Sequence, residues 1–166
     1  MGSKHYWKQG GKTLKNISDI IEEYLKQVLE KSEEEIVEIK RSEIANKFQC
    51  VPSQINYVIN TRFTLERGYI VESKRGGGGF IRIIKVRPTN HFSLIEHLMS
   101  LIGNSIPQST CLDIIERLVE EEVITDREAK IMASVIDRNV LKIELPERDR
   151  LRARMLKAML RVLSYE

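Results

Sequence analysis

Cysteine is nearly absent from this sequence. Cys50 and Cys111 stand 61 positions apart in 166 residues. That excludes a disulfide scaffold and a CxxC zinc site, and it fits a reducing, cytoplasmic setting. Long apolar runs are also missing. Stretches such as Ile83-Ile84 and Val123-Ile124 are short, far below the roughly 18 consecutive apolar residues of a membrane span. Histidine occurs three times, as His5, His91 and His97, and a separation of six puts the last two on different helix faces, so no metal site is expected. No Ser/His/Asp or Cys/His set appears, and the runs Glu33-Glu34-Glu35 and Glu120-Glu121-Glu122 read as solvated faces rather than acid–base pairs. The expectation is a protein without catalytic activity, cofactor or metal.

What is present is an ordinary globular composition, with 42% apolar and 31% charged residues. It allows one domain or two small ones. The net charge of +3 is small, but it averages two opposed halves. Residues 1–87 carry 16 Lys and Arg against 11 Asp and Glu, whereas residues 88–166 carry 11 against 13. Within 36–87 the count is ten basic to four acidic. Such asymmetry points to an anionic partner for one half or, more plainly, to a solvated basic surface.

Residues 1–15 have no apolar periodicity and no signal-peptide core, and read as an added tag or a loose basic tail. Ile17, Ile20, Ile21, Tyr24, Leu25, Val28 and Leu29 recur at helical steps from about Ser18. Ser32 to Glu35 reads as a capping box opening a short helix, and 34–41 as a short strand. Ser42 is a good N-cap for a helix to about Phe48. A further helix runs from Pro52 or Ser53 to about Phe63. Tyr69–Lys74 and Phe80–Val86 read as strands around Arg75 and four glycines, a hairpin pattern, and 87–90 as a linker. Beyond it four helices are expected: 91–102, one from Ser109 or Thr110, one from a capping box at Thr125–Glu128, and one after Pro146. Their inward residues include Leu112, Ile115, Leu118, Val119, Ala129, Met132, Ile136, Leu156 and Leu160.

The segment from Glu43 to Val58 carries the functional signal. Ala45 is small where two helices approach closely, and Ile55 and Val58 follow it at ten and thirteen positions, the spacing of a helix-turn-helix. The outer face of the second helix then presents Ser53, Gln54, Asn56, Tyr57 and Asn60, whose amides suit adenine edges and whose hydroxyls suit phosphate or either base. Gln49 occupies the turn position where glycine is usual, because φ > 0 suits glycine. An αα-hairpin with a polar outer face is the plainer alternative. Cys50 in the turn is either a packing residue or an oxidation-sensitive one.

The strands after Gly68 make this a winged helix. Lys74 and Arg75 sit at the wing tip beside Gly76, Gly77, Gly78 and Gly79, narrow enough for a minor groove. A phosphate-cradling loop would need Lys-Ser/Thr and a helix after the glycines, and Phe80-Ile81-Arg82-Ile83 is strand-like instead.

The phrases NISDIIEEYLKQVL, IVEIKRSEIANKFQCVPSQINYVINTRFTLERGYIVESKRGGGG and LPERDRLRARMLKAMLR resemble the CtsR family, bacterial repressors of class III heat-shock genes. The resemblance runs from Asn16 to Val86 and on through the helical second half to Leu160, about 145 residues, and the phrases that carry it are highly specific. It implies a mainly α protein with a small β wing: a winged helix-turn-helix domain at 16–87 and a four-helix-bundle-like dimerisation domain at 88–166. It also implies a cytoplasmic homodimer on tandem operators upstream of Clp protease and chaperone operons. A Gly-rich wing would act as heat sensor, with a protein arginine kinase and the Clp machinery as partners. Arg75 would be the family's wing-tip arginine, with Arg41 and Arg62 as further DNA-facing or phosphorylatable residues.

The mechanism expected from these residues has Gln54, Asn56, Tyr57 and Asn60 on bases or nearby phosphates and Ser53 at the helix start. Arg41 and Lys47 position the backbone, Arg62 does either, and Lys74 and Arg75 enter the minor groove. The competing reading is a winged-helix adaptor or protease-delivery protein that binds protein rather than DNA. The basic excess in 36–87 favours the first.

Overall fold

The structure is a computed structural model that describes residues 15–74 and 79–165. The described chain forms two compact units that divide between Arg87 and Pro88.

The first unit contains α1 (Ile17–Lys31), β1 (Ile36–Lys40), α2 (Arg41–Lys47), α3 (Pro52–Arg62), β2 (Tyr69–Ser73) and β3 (Phe80–Lys85). Asn16 caps α1 through a reciprocal capping box with Asp19. Its buried stripe is Ile21, Leu25 and Leu29, four residues apart as a helix requires. Ser18, not Ile17 or Ile20, continues that stripe. Both isoleucines are exposed, contrary to the sequence expectation.

The sheet has order β1-β3-β2 and is antiparallel throughout. The wing hairpin is therefore joined by a strand from ahead of the helix-turn-helix. In β1, Val37 and Ile39 point into the core, as alternation demands. Lys40 pairs with Phe80, and this pairing corrects two expectations. Residues 32–35 form no helix: the Ser32 hydroxyl donates to the Ile36 carbonyl at 2.9 Å, and Lys85 N–H donates to the Glu35 carbonyl at 3.0 Å. The turn is thus drawn onto the sheet edge, with Glu35 at φ 52°. Arg87 donates from Nε to both Glu35 oxygens at 2.8 Å, and this hydrogen bonding lowers the carboxyl pKa. The strand also ends at Lys40 rather than Arg41, so the chain passes straight into α2, with Lys40 as N-cap and Ser42 inside the first turn.

The second unit is α4 (His91–Leu101), α5 (Gln108–Glu120), α6 (Asp126–Val135) and α7 (Glu147–Leu163). Here α5 packs on α6 and α7, and α4 packs on α7, around Leu94, Leu98, Ile114, Ile115, Leu118, Leu156 and Leu160. Leu112 and Val119 are only partly buried. The Thr125–Glu128 capping box forms as expected, and a second one, Asn90 with Ser93, opens α4. Helix α5 starts at Gln108 after Pro107 instead of at Ser109 or Thr110. The Gln108 side chain is drawn toward α6, donating to Asp137 at 2.8 Å and accepting from Arg138 N–H at 2.9 Å. Burial pushes the Cys111 thiol up to about 12, so it packs as a small neutral side chain.

Two arginines are buried in this unit, Arg117 at 3% and Arg152 at 1% exposure. Neither was foreseen, because periodicity reads arginine as a surface residue. The runs at 33–35 and 120–122 are likewise not purely solvated, since Glu35 holds Arg87 and Glu121 pairs with Arg117 at 2.9 Å.

Candidate nucleic-acid interface

Helices α2 and α3 are joined by a tight turn. Cys50 N–H donates to the Ala45 carbonyl at 2.9 Å, and Gln49 adopts φ 52°. The turn position therefore needs the left-handed backbone that glycine supplies most cheaply, and Gln49 adopts it. Ala45 is buried, and Ile55 and Val58 are fully buried. These three side chains clamp α3 onto α2 and turn its opposite face outward.

On that face Ser53, Asn56, Tyr57 and Asn60 are exposed, with Tyr57 at 54%. Gln54 is half-buried and donates to the Ser18 hydroxyl at 2.6 Å, which ties the start of α3 to α1. Lys47 is exposed, and its Nζ lies 4.7 Å above the Tyr24 ring. That stacking holds the charge at the end of α2.

Arg62 lies elsewhere. Its guanidinium stands 3.5 Å from Asp19 and 3.5 Å from Glu22 on α1. Glu22 also takes Lys26 at 3.0 Å and Arg67 at 3.3 Å. Arg62 therefore belongs to an ion cluster between α1 and α3, apart from the outward residues of α3.

Arg41 joins the helix-turn-helix to the wing. Its Nε donates to Asn56 Oδ1 at 2.6 Å, its Nη1 to the Gly79 carbonyl at 3.2 Å and its Nη2 to the Ser73 hydroxyl at 3.3 Å. Lys40 pairs with Phe80 across the sheet, so the next residue on β1's chain meets the one before β3. Gly79 has φ 72°, which aims its carbonyl and strains any side-chain-bearing residue. At the other wing shoulder Lys74 lies 3.4 Å from Glu38. The expectations for Arg75, Gly76, Gly77 and Gly78 lie outside the described residues.

Sequence reasoning missed Ser73 and Glu38 because their roles depend on β1 lying beside the hairpin, which no local pattern announces. Much of the basic excess is also paired within the unit, through Lys40–Glu43, Lys74–Glu38, Arg82–Glu72 and Arg87–Glu35. Arg41 instead donates to neutral acceptors and keeps its full charge on this face. Among the described residues, no group of three His, Cys, Asp or Glu side chains could hold a metal ion, and no helix is long and apolar enough to cross a membrane.

A helix-turn-helix with an outward polar helix, backed by a three-stranded sheet that carries a wing, defines the winged helix-turn-helix class. Residues 16–87 match the CtsR N-terminal HTH domain and residues 90–161 the CtsR C-terminal dimerization domain. The chain is 71% identical to the transcriptional regulator CtsR of Geobacillus stearothermophilus over 151 residues, covering 91% of this chain and 99% of that protein. It is 68% identical to the regulator of the same name in Bacillus subtilis strain 168, covering 87% and 94%. A crystal structure of CtsR in complex with a 26-base-pair DNA duplex superposes with a TM-score of 0.87 at 71% identity, covering 91% of this chain and all of that one. The chain belongs to the CtsR family of transcriptional regulators.

Proposed function

We propose that this protein is a sequence-specific DNA-binding repressor that acts as a homodimer. The observation that carries the reading is the outward face of α3, with Asn56, Tyr57 and Asn60 exposed beside the root of the wing. Helix α3 enters the major groove, and the wing, with Lys74 and Arg75, reaches the adjacent minor groove. The solved relative in complex with a DNA duplex supports DNA as the partner.

The partner copy is held by the second unit. Ile131, Val140, Ile143, Leu145 and Val162 stand exposed there, apolar surface of the kind a second protomer covers. The match of residues 90–161 to a dimerization domain supports the same assignment. The genes controlled are class III heat-shock operons, including those of the Clp protease and chaperones, as the family resemblance implies.

Two controls act on the wing. Glycine loses more backbone entropy on ordering than any other residue, so fixing a wing of four consecutive glycines on DNA is costly, and more so when hot. Phosphorylation of Arg75 replaces a cation with an anion at the groove. Arg41 is a second target, since a phosphoryl group there breaks its contacts to Asn56, Ser73 and Gly79. On Arg62 a phosphoryl group meets the carboxylates of Asp19 and Glu22, so its modification loosens α1 from α3 instead.

Footprinting and gel shifts on native promoters across salt concentrations test the reading. Specific binding with a steep salt slope is expected, and binding without sequence preference overturns it. Arg75→Ala should lose about 1–3 kcal/mol of operator affinity and reduce the salt slope by about one; unchanged affinity removes Arg75 from the groove. Gly77→Pro, which restricts the free wing, should raise the temperature at which DNA is released. An unchanged release temperature ends the entropic account.

A further inference from the structure

We infer that Arg41 is a positioning residue that sets base preference, by fixing the amide of Asn56 and the root of the wing in one arrangement before DNA arrives. This inference rests on the DNA-binding reading above.

The guanidinium is a rigid planar fork with five N–H groups. Three of them are spent inside the protein, on α3 at Asn56, on the end of β2 at Ser73 and on the residue ahead of β3 at Gly79. One side chain thus spans the recognition helix and both strands from which the wing leaves. All three acceptors are neutral, so the charge stays available to phosphate through the remaining donors.

The contact to Asn56 has a specific consequence. Reading adenine by a bidentate asparagine requires both amide atoms, the oxygen accepting from N6 and the nitrogen donating to N7. Here Oδ1 faces Arg41 Nε at 2.6 Å. With Oδ1 held on Arg41, the NH₂ group is what Asn56 offers to DNA, as a donor. The matching major-groove atoms are acceptors: guanine O6 and N7, thymine O4, or adenine N7 alone. An exposed asparagine that sequence reasoning assigns to adenine becomes a donor-only reader, and the cause is a residue fifteen positions earlier in the chain.

Arg41→Lys keeps the charge and loses the fork. It separates positioning from simple phosphate contact. The experiment uses the full chain and a duplex that the wild-type protein selects from a random-sequence pool, with single-base-pair variants of that duplex and an unrelated duplex as the non-specific reference. For Arg41→Lys the ratio of specific to non-specific affinity is expected to fall about tenfold or more. Non-specific affinity should change by less than about twofold, since the charge is kept. Relative affinity for adenine should rise at the pair that Asn56 reads, because Oδ1 is released. Asn56→Ala should remove discrimination at that pair, and adding Arg41→Lys should change that pair's preference no further.

In DNA-free protein, NMR should show one fixed orientation of the Asn56 amide in wild type and an averaged one in Arg41→Lys. A uniform loss on specific and non-specific DNA overturns the inference and leaves Arg41 a phosphate contact. An unchanged base preference, additive single variants or an already averaged Asn56 amide overturns it as well. If wild type selects no sequence from the pool, the DNA-binding reading itself fails, and that outcome is distinct from a specific wild type with an indifferent Arg41→Lys.

Discussion

Arg152→Ala is expected to destabilise the C-terminal helical unit by about 3–5 kcal/mol, the cost of breaking a buried ion pair by removing one partner. Arg152 is 1% exposed. Its Nε donates to the Ile136 carbonyl at 3.0 Å and its Nη1 to the Ile106 carbonyl at 3.3 Å, while Nη1 also pairs with Asp149. Ile136 is the C-cap of α6, and Ile106 lies in the connection between α4 and α5. One guanidinium thus fastens α7 to the end of α6 and to that connection. Truncation leaves two carbonyls without their donor, a half-buried carboxylate without its cation, and a cavity where the side chain lay.

A net domain stability is typically about 5–15 kcal/mol, and four helices in roughly 70 residues sit toward the low end. The loss therefore consumes most of what holds this unit. Urea unfolding followed by circular dichroism measures it. Arg152→Met, which keeps much of the volume, should lose less than Arg152→Ala. An alanine variant within about 1 kcal/mol of wild type would show that the cluster carries little of the stability.

That residue also marks where the sequence was legible and where it was not. Helical periodicity exposed the core of both units, because Ile21, Leu25 and Leu29, or Ile115 and Leu118, bury at the steps a helix dictates. The helix-turn-helix was legible through Ala45, Ile55 and Val58, since close packing of two short helices restricts those positions by size. Gln49 was legible as a left-handed turn residue despite not being glycine, because position in the motif, not residue type, fixes the backbone.

What stayed hidden has a common cause: it depends on contacts between distant segments. Ser32–Glu35 carries a helix-start pattern, but β1 pairing claims Glu35 for the sheet edge. Ser42 is a good cap in isolation, yet the strand runs into α2 ahead of it. The contacts of buried Arg152 to Ile136 and Ile106 span 16 and 46 positions, and those of Arg41 span 15 to 38. In the candidate interface, the outward residues of α3 followed from local spacing. Their restraint by Arg41, and the diversion of Arg62 to Asp19 and Glu22, did not.

The second large effect follows from the first, because the two units do different work. Each has its own hydrophobic core, and the cores share no residue. A variant that unfolds the C-terminal unit should therefore leave the winged helix intact. A single winged helix covers a short stretch of DNA, and linking two of them makes the second binding event intramolecular. Avidity of this kind is worth ~10²–10⁴ in affinity. Arg152→Ala, studied at a temperature or urea concentration where only the C-terminal unit has melted, should bind a two-half-site operator weaker than wild type by about that factor. It should bind a duplex with one half-site about as well as wild type does, because α3 and the wing are untouched. Wild type should distinguish the two duplexes strongly and lose affinity when half a helical turn is inserted between half-sites, whereas the variant should be indifferent to that insertion. Sedimentation should show the variant as a monomer under the same conditions. A melted C-terminal unit that still discriminates two half-sites from one would place the pairing of protomers in the DNA-binding domain instead.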